Sequence, residues 1–184
     1  MPEKDRITFE QIKSLVNTAL TRFYREDRML LDYESENNAV SERCMVFRIG
    51  WYMLEAMKEA PQFEWADLDC EYNRNFFDPK MMYIRRQNGS IKRTRNVVPD
   101  LLIHERRSND NNLLVIEFKK GFPSRFLRGQ DTAKLKYFTN PNEDYRYSFG
   151  FYIELHSHCA EVQVFEQGHP QRKLSYIWEP SVKE

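Results

Sequence analysis

Apolar residues recur along this chain with two periods, and the change of period divides it into elements. Between residues 8 and 25, Phe9, Ile12, Val16 and Leu20 fall every three or four positions, the stripe of an amphipathic helix. Thr8 followed three residues later by Gln11 supplies a capping box at its start. Residues 26 to 38 are polar and interrupted, which suits a loop. A second helix is expected from about Ala39 to Glu59, with Val46, Ile49, Met53 and Met57 on its buried face. Glu42 lies one turn before Val46 on that same face, where an apolar residue would be ordinary. A glutamate there either complements the positive end of the helix or is aimed at a site.

The period then drops to two. From Asp67 to Asn75, Leu68, Cys70 and Tyr72 alternate with Asp69, Glu71 and Asn73, which predicts a first strand; Glu71 or Asp69 could approach a site, but a wetted polar face is the simpler expectation. Residues 76 to 96 are aromatic and then basic, with Arg85, Arg86, Lys92, Arg93 and Arg95 around Asn88-Gly89, a strong hairpin signal. Two apolar runs follow, Leu101-Leu102-Ile103 and Leu113-Leu114-Val115-Ile116, joined by an Asn/Asp-rich connection, and they predict a second hairpin. Gly121-Phe122-Pro123 breaks the strand, and a third helix is expected from Ser124 to about Phe138. It carries Gln130, Asp131 and Lys134; the last two, at i and i+3, have the spacing of a surface ion pair. Arg146 to Leu155 reads as a central strand, and Glu161–Phe165 and Lys173–Trp178 as closing strands. His156 and His158 straddle one residue at a strand end; with no third ligand nearby in sequence, they read as part of a turn. The order of elements predicts one α/β domain, residues 1–184, with a mixed sheet flanked by helices.

Length and composition agree with one domain and add a compartment. A chain of 184 residues with 41% hydrophobic content can bury a full core. Cys44, Cys70 and Cys159 are odd in number and dispersed, as expected of reduced thiols in a cytoplasmic protein. No apolar run approaches eighteen residues and the start MPEKDRITFE lacks a signal-peptide core, so a membrane is not expected as a partner. The formal net charge is zero, but it is distributed unevenly. Residues 1–78 hold 10 basic and 16 acidic side chains, residues 79–136 hold 14 and 5, and the remainder hold 4 and 7. The middle third therefore has the local charge of a phosphate-binding surface.

That basic third contains the candidate chemistry. Asp100 opens one strand of the second hairpin, directly after Pro99. Glu117 and Lys119 end the other, and alternation puts both on one side. Two carboxylates and an ammonium thus converge at one end of a small sheet. Gathering such charge beside buried strands is costly, and a divalent cation can compensate it.

Pro99-Asp100 with Glu117-x-Lys119 on the next strand resembles the PD-(D/E)XK motif of the restriction-endonuclease-like nucleases. The motif covers about two dozen residues; a looser likeness runs from Glu42 through the third helix. The resemblance implies a restriction-endonuclease-like α/β core and a Mg²⁺-dependent nuclease, with Mn²⁺ able to substitute. It implies Asp100, Glu117 and Glu42 as metal ligands, a main-chain carbonyl near Phe118 beside them, and Lys119 as the catalytic cation. Products with 5′-phosphate ends follow from the same likeness. Arg85, Arg86, Lys92, Arg93, Arg95, Lys120, Gln130 and Lys134 are the expected nucleic-acid contacts, with DNA the expected polymer. Sequence specificity would need a homodimer, a protein partner or the basic hairpin. The competing expectation is a catalytically silent module of the same fold that binds nucleic acid or a protein.

Overall fold

A computed structural model of the chain describes residues 7–31, 40–75, 78–85, 90–95 and 97–180, and the backbone alone at 84, 85 and 91–95. The first helix, α1 (Phe9–Glu26), begins as its sequence demands. Thr8 accepts a hydrogen bond from the Gln11 amide, and the Gln11 side chain returns one from the Thr8 amide at 2.8 Å. The second helix, α2 (Glu42–Lys58), starts three residues later than the apolar pattern suggests, with Ser41 as its N-cap. Glu42 is therefore the first helical residue, where its charge is favourable.

The strands are β1 (Asp67–Cys70), β2 (Arg74–Asn75), β3 (Asp78–Pro79), β4 (Met81–Arg85), β5 (Ile91–Arg95), β6 (Leu101–His104) and β7 (Leu114–Lys120). After helix α3 (Arg125–Thr139) come β8 (Phe149–Leu155), β9 (Ala160–Glu166), β10 (His169–Pro170) and β11 (Tyr176–Trp178). One seven-stranded sheet runs β1-β6-β7-β8-β9-β10, with β11 also paired to β9. Among the described residues only β7 and β8 pair in parallel, and α3 is the crossover that such a pair requires. The chain is thus α/β, with a mixed, mostly antiparallel sheet flanked by three helices. β4 and β5 form the expected basic hairpin as a separate two-stranded sheet. Arg86, Asn88 and Gly89 lie outside the described residues.

Alternation along the central strands decides which helix each residue meets. Leu101, Ile103, Leu114, Ile116 and Phe118 pack with α1 and α2, whereas Leu102 and Val115 pack with Leu135 and Phe138 of α3. Glu117 and Lys119 share the parity of Val115, so both face α3. The buried apolar neighbours in β7 each contribute about 2 kcal/mol. They hold the strand in place whatever the charge at its end costs.

Helix α3 sits close on β8. An added Cβ at Gly150 would lie 3.0 Å from Thr139 Cγ2, 3.3 Å from Phe165 Cβ and 3.4 Å from Leu135 Cδ2. Gly150→Ala is expected to destabilise by about 2 kcal/mol through overpacking. Thermal unfolding checks it: a fall of about 6 °C is the expected scale, and an unchanged midpoint would mean that α3 shifts freely.

Two expectations are corrected here. The polar face of β1 is wetted only in part: Glu71 is exposed, but Asp69 is mostly buried, paired with His104 at 3.0 Å and with the Arg106 guanidinium, whose Nε approaches to 2.8 Å. Burial opposes ionisation there, yet the hydrogen bonds from Arg106 and His104 hold the Asp69 carboxyl well below the usual range. Asp131 and Lys134 are not a surface pair either, since Asp131 is only 6% exposed. Its helix face lies against the sheet, which spacing alone does not reveal.

Candidate active site

The register of the second hairpin builds the site. Leu101 pairs with Ile116, Leu102 with Val115 and Ile103 with Leu114. Continuing that register by one step places Asp100 opposite Glu117. Asp100 is tied in place on both sides: its carboxylate Oδ2 accepts from the Phe118 amide at 2.7 Å, and its carbonyl from the Glu71 amide at 3.1 Å. Buried Pro99 before it removes a donor and stiffens the approach.

Glu117 is 1% exposed. Its Oε2 accepts from Lys134 Nζ at 2.7 Å, and its Oε1 is buried with no hydrogen-bond partner. Burial first, and Asp100 second, raise the Glu117 carboxyl well above its ordinary value, against the pull of Lys134. Burial likewise pushes Asp100 up to about 6, despite the Phe118 amide and Lys119. These are two adjoining carboxylates that resist being ionised together.

Lys119 donates to Glu42 Oε1 at 2.9 Å and to its neighbour's carbonyl, Phe118 O, at 2.8 Å, and lies 3.1 Å from Asp131 Oδ2. Burial would lower its pKa, but Glu42, Asp131 and Asp100 outweigh that and raise it. Lys119 stays a cation at every working pH. Asp131 bridges the two lysines, with Oδ1 2.8 Å from Lys134 Nζ. Glu42 also accepts from the Lys120 amide at 3.2 Å, so helix α2 is latched onto the end of β7.

Four carboxylates (Glu42, Asp100, Glu117 and Asp131) therefore surround two ammonium groups, Lys119 and Lys134. Fully ionised, the cluster is two negative charges in excess. A divalent cation would balance that charge, and the partnerless Glu117 Oε1, with Asp100, could offer it two oxygen donors. Glu42, expected as a third ligand, is instead engaged by Lys119 and the Lys120 amide.

The other expected contacts are placed as follows. Lys120 Nζ donates to Leu30 O at 3.0 Å, which turns it toward the turn after α1. Lys134 serves Glu117 and Asp131 directly. Gln130 is exposed on α3. It lines a groove of about 790 Å³ with Arg125, Phe126, Val97, Asp131 and Lys134, so open surface reaches the charged cluster. A second cleft of about 310 Å³ opens on the other side, onto Glu42, Arg43, Glu71 and Asp100. Arg85, Lys92, Arg93 and Arg95 lie on the β4–β5 hairpin.

One cluster escaped the sequence reading. Glu154, His156 and Glu161 bring possible ligand atoms within 4.8 Å of one another. The signal was available, because a short turn between β8 and β9 puts Glu154 opposite Glu161. Residues 157 and 158 do form the expected bend. The groups nearest His156 come from its own strand and the facing one, Glu154 and Glu161, not from His158.

Compared with protein-family models, with curated proteins and with solved structures, the chain has no match. Among the described residues, no helix is long and apolar enough to cross a membrane.

Proposed function

We propose that the chain is a metal-dependent nuclease on a restriction-endonuclease-like core, hydrolysing phosphodiester bonds of nucleic acid, with DNA as the polymer. The observation that carries this reading is the Asp100–Glu117 pair at the open end of the β6–β7 hairpin. One of its oxygens is buried without a partner, and the cluster around it lacks two positive charges.

Asp100 and Glu117 hold the cation in this reading, with Phe118 O beside them and Glu42 acting through water or through Lys119. Bound there, Mg²⁺ or Mn²⁺ supplies Lewis-acid charge next to the phosphorus and acidifies a water molecule. Lys119 binds a non-bridging phosphate oxygen as a fixed cation. Its raised pKa suits that role and not a general base. Glu42 and Asp131 hold its ammonium in position. Lys134 keeps Glu117 oriented through Oε2. Exposed Phe126, with Arg125 and Gln130, lines the groove that leads to the cluster and offers a stacking face and phosphate contacts to a passing strand.

The silent-module reading has one observation in its favour. Lys119 and Lys134 already serve as internal counter-ions, so protonation of one carboxylate would leave a tolerable ion-pair network without metal. Incubation with linear and circular DNA separates the two. The nuclease cleaves with Mg²⁺ or Mn²⁺ and stops with EDTA or in Asp100→Ala and Lys119→Ala. Binding of DNA without metal and without product would establish the module instead.

A further inference from the structure

We propose that Glu154, His156 and Glu161 form a second divalent-metal site of zinc type, which clamps the β8–β9 hairpin. The proposal stands apart from the nuclease reading and uses none of its residues.

The cross-strand register puts Glu154 directly opposite Glu161, and like charges facing each other across a ladder are unfavourable. His156 continues the pairing, donating its amide to Cys159 O at 2.9 Å, so its side chain falls on the same face as Glu154. His156 is 8% exposed as a residue and 11% exposed at its side chain, and both ring nitrogens are buried with no hydrogen-bond partner. A buried imidazole with two unsatisfied nitrogens is an unusual expense in a folded chain. Its Nε2 lies 3.5 Å from Glu161 Oε1, within ion-pair reach were the ring protonated, but no hydrogen bond joins them. A cation between them satisfies both groups. Phe122 covers the ring at 4.7 Å between centroids, although Phe122 is otherwise exposed.

Arg128 is the one organic cation bonded to the cluster among the described residues, at 2.6 Å from Glu154 Oε2. It leaves the second carboxylate and the imidazole uncompensated. One neutral imidazole nitrogen and two carboxylate oxygens make a borderline donor set, which suits Zn²⁺ or Co²⁺ better than Mg²⁺. Spread over 4.8 Å, the donors need to close by roughly 1.5 Å to reach tetrahedral zinc distances. Glu161 is more than half exposed and free to move inward. The site opens onto a groove of about 550 Å³ also lined by Arg128, Tyr152 and Gln163, which gives the metal an entry path and room for a water ligand. By strand spacing it lies on the order of 10 Å from Glu117, too far for a two-metal centre of about 4 Å.

The test uses the full chain carrying Asp100→Asn and Glu117→Gln, so that the first site cannot hold metal. Zn²⁺ calorimetry and Co²⁺ absorption should then report one ion per chain and a higher melting temperature. Adding Glu161→Gln, which is too exposed to threaten folding, should weaken the affinity at least tenfold; His156→Gln should abolish the Co²⁺ spectrum. Absence of Zn²⁺ binding in the parent double variant, or affinity unchanged by Glu161→Gln, overturns the site.

Discussion

Glu117→Gln is expected to lower metal-dependent cleavage at least about a thousandfold, roughly 4 kcal/mol of transition-state stabilisation. The same change should leave the metal-free protein as stable as before, or more so. Both halves come from one geometry. The glutamine carbonyl can still accept from Lys134, which holds Oε2 at 2.7 Å, so packing survives. What disappears is the negative charge on a fully buried carboxylate that Asp100 and desolvation already disfavour. Cleavage assays and melting curves on the same preparation check the pair of outcomes. Cleavage within tenfold of the unaltered protein would remove Glu117 from the site.

The metal-free protein is also expected to lose stability as pH rises from about 4 to about 6, by about 3 kcal/mol from Asp100 alone. The sign follows from the direction of the shift. The folded-state pKa of Asp100 is about 6 against an ordinary 3.8, so the folded chain binds its proton more tightly than the unfolded chain. The stabilisation is complete below the ordinary value and is lost as pH climbs through the folded one. Glu117, raised further by burial, extends the loss upward. A bound divalent ion should reverse the slope, because it competes with those protons and gains affinity as they leave. Melting curves in EDTA and in Mn²⁺ at pH 4.5, 6 and 7.5 should diverge with rising pH. Parallel curves would mean that no metal binds the carboxylate pair.

Local rules made a good part of this molecule legible. The Thr8–Gln11 capping box and the Ser124 N-cap, which accepts from the Leu127 amide at 3.3 Å, set the starts of α1 and α3 where sequence places them. The hairpin from Leu101 to Ile116 is equally local, since two apolar runs around a polar turn have few other ways to pair. Asp100 beside Glu117 follows from that hairpin alone. Misreadings arose where burial depends on a distant element. Asp69 looked solvated because nothing within β1 announces Arg106 of a later turn. Asp131 and Lys134 looked like a surface pair because helical spacing is indifferent to what covers the face.

The sequence by itself determined the three helices, the second hairpin and the presence of two acids and a lysine at one strand end, because these depend on neighbours a few positions apart. Tertiary structure alone decided which charges meet. Glu42 reaches Lys119 across 77 residues, Lys134 reaches Glu117 across 17, and Arg128 reaches Glu154 across 26. It also decided that Glu117 Oε1 and both nitrogens of His156 are buried without partners. Desolvation is a property of everything packed around an atom, and no local pattern carries it.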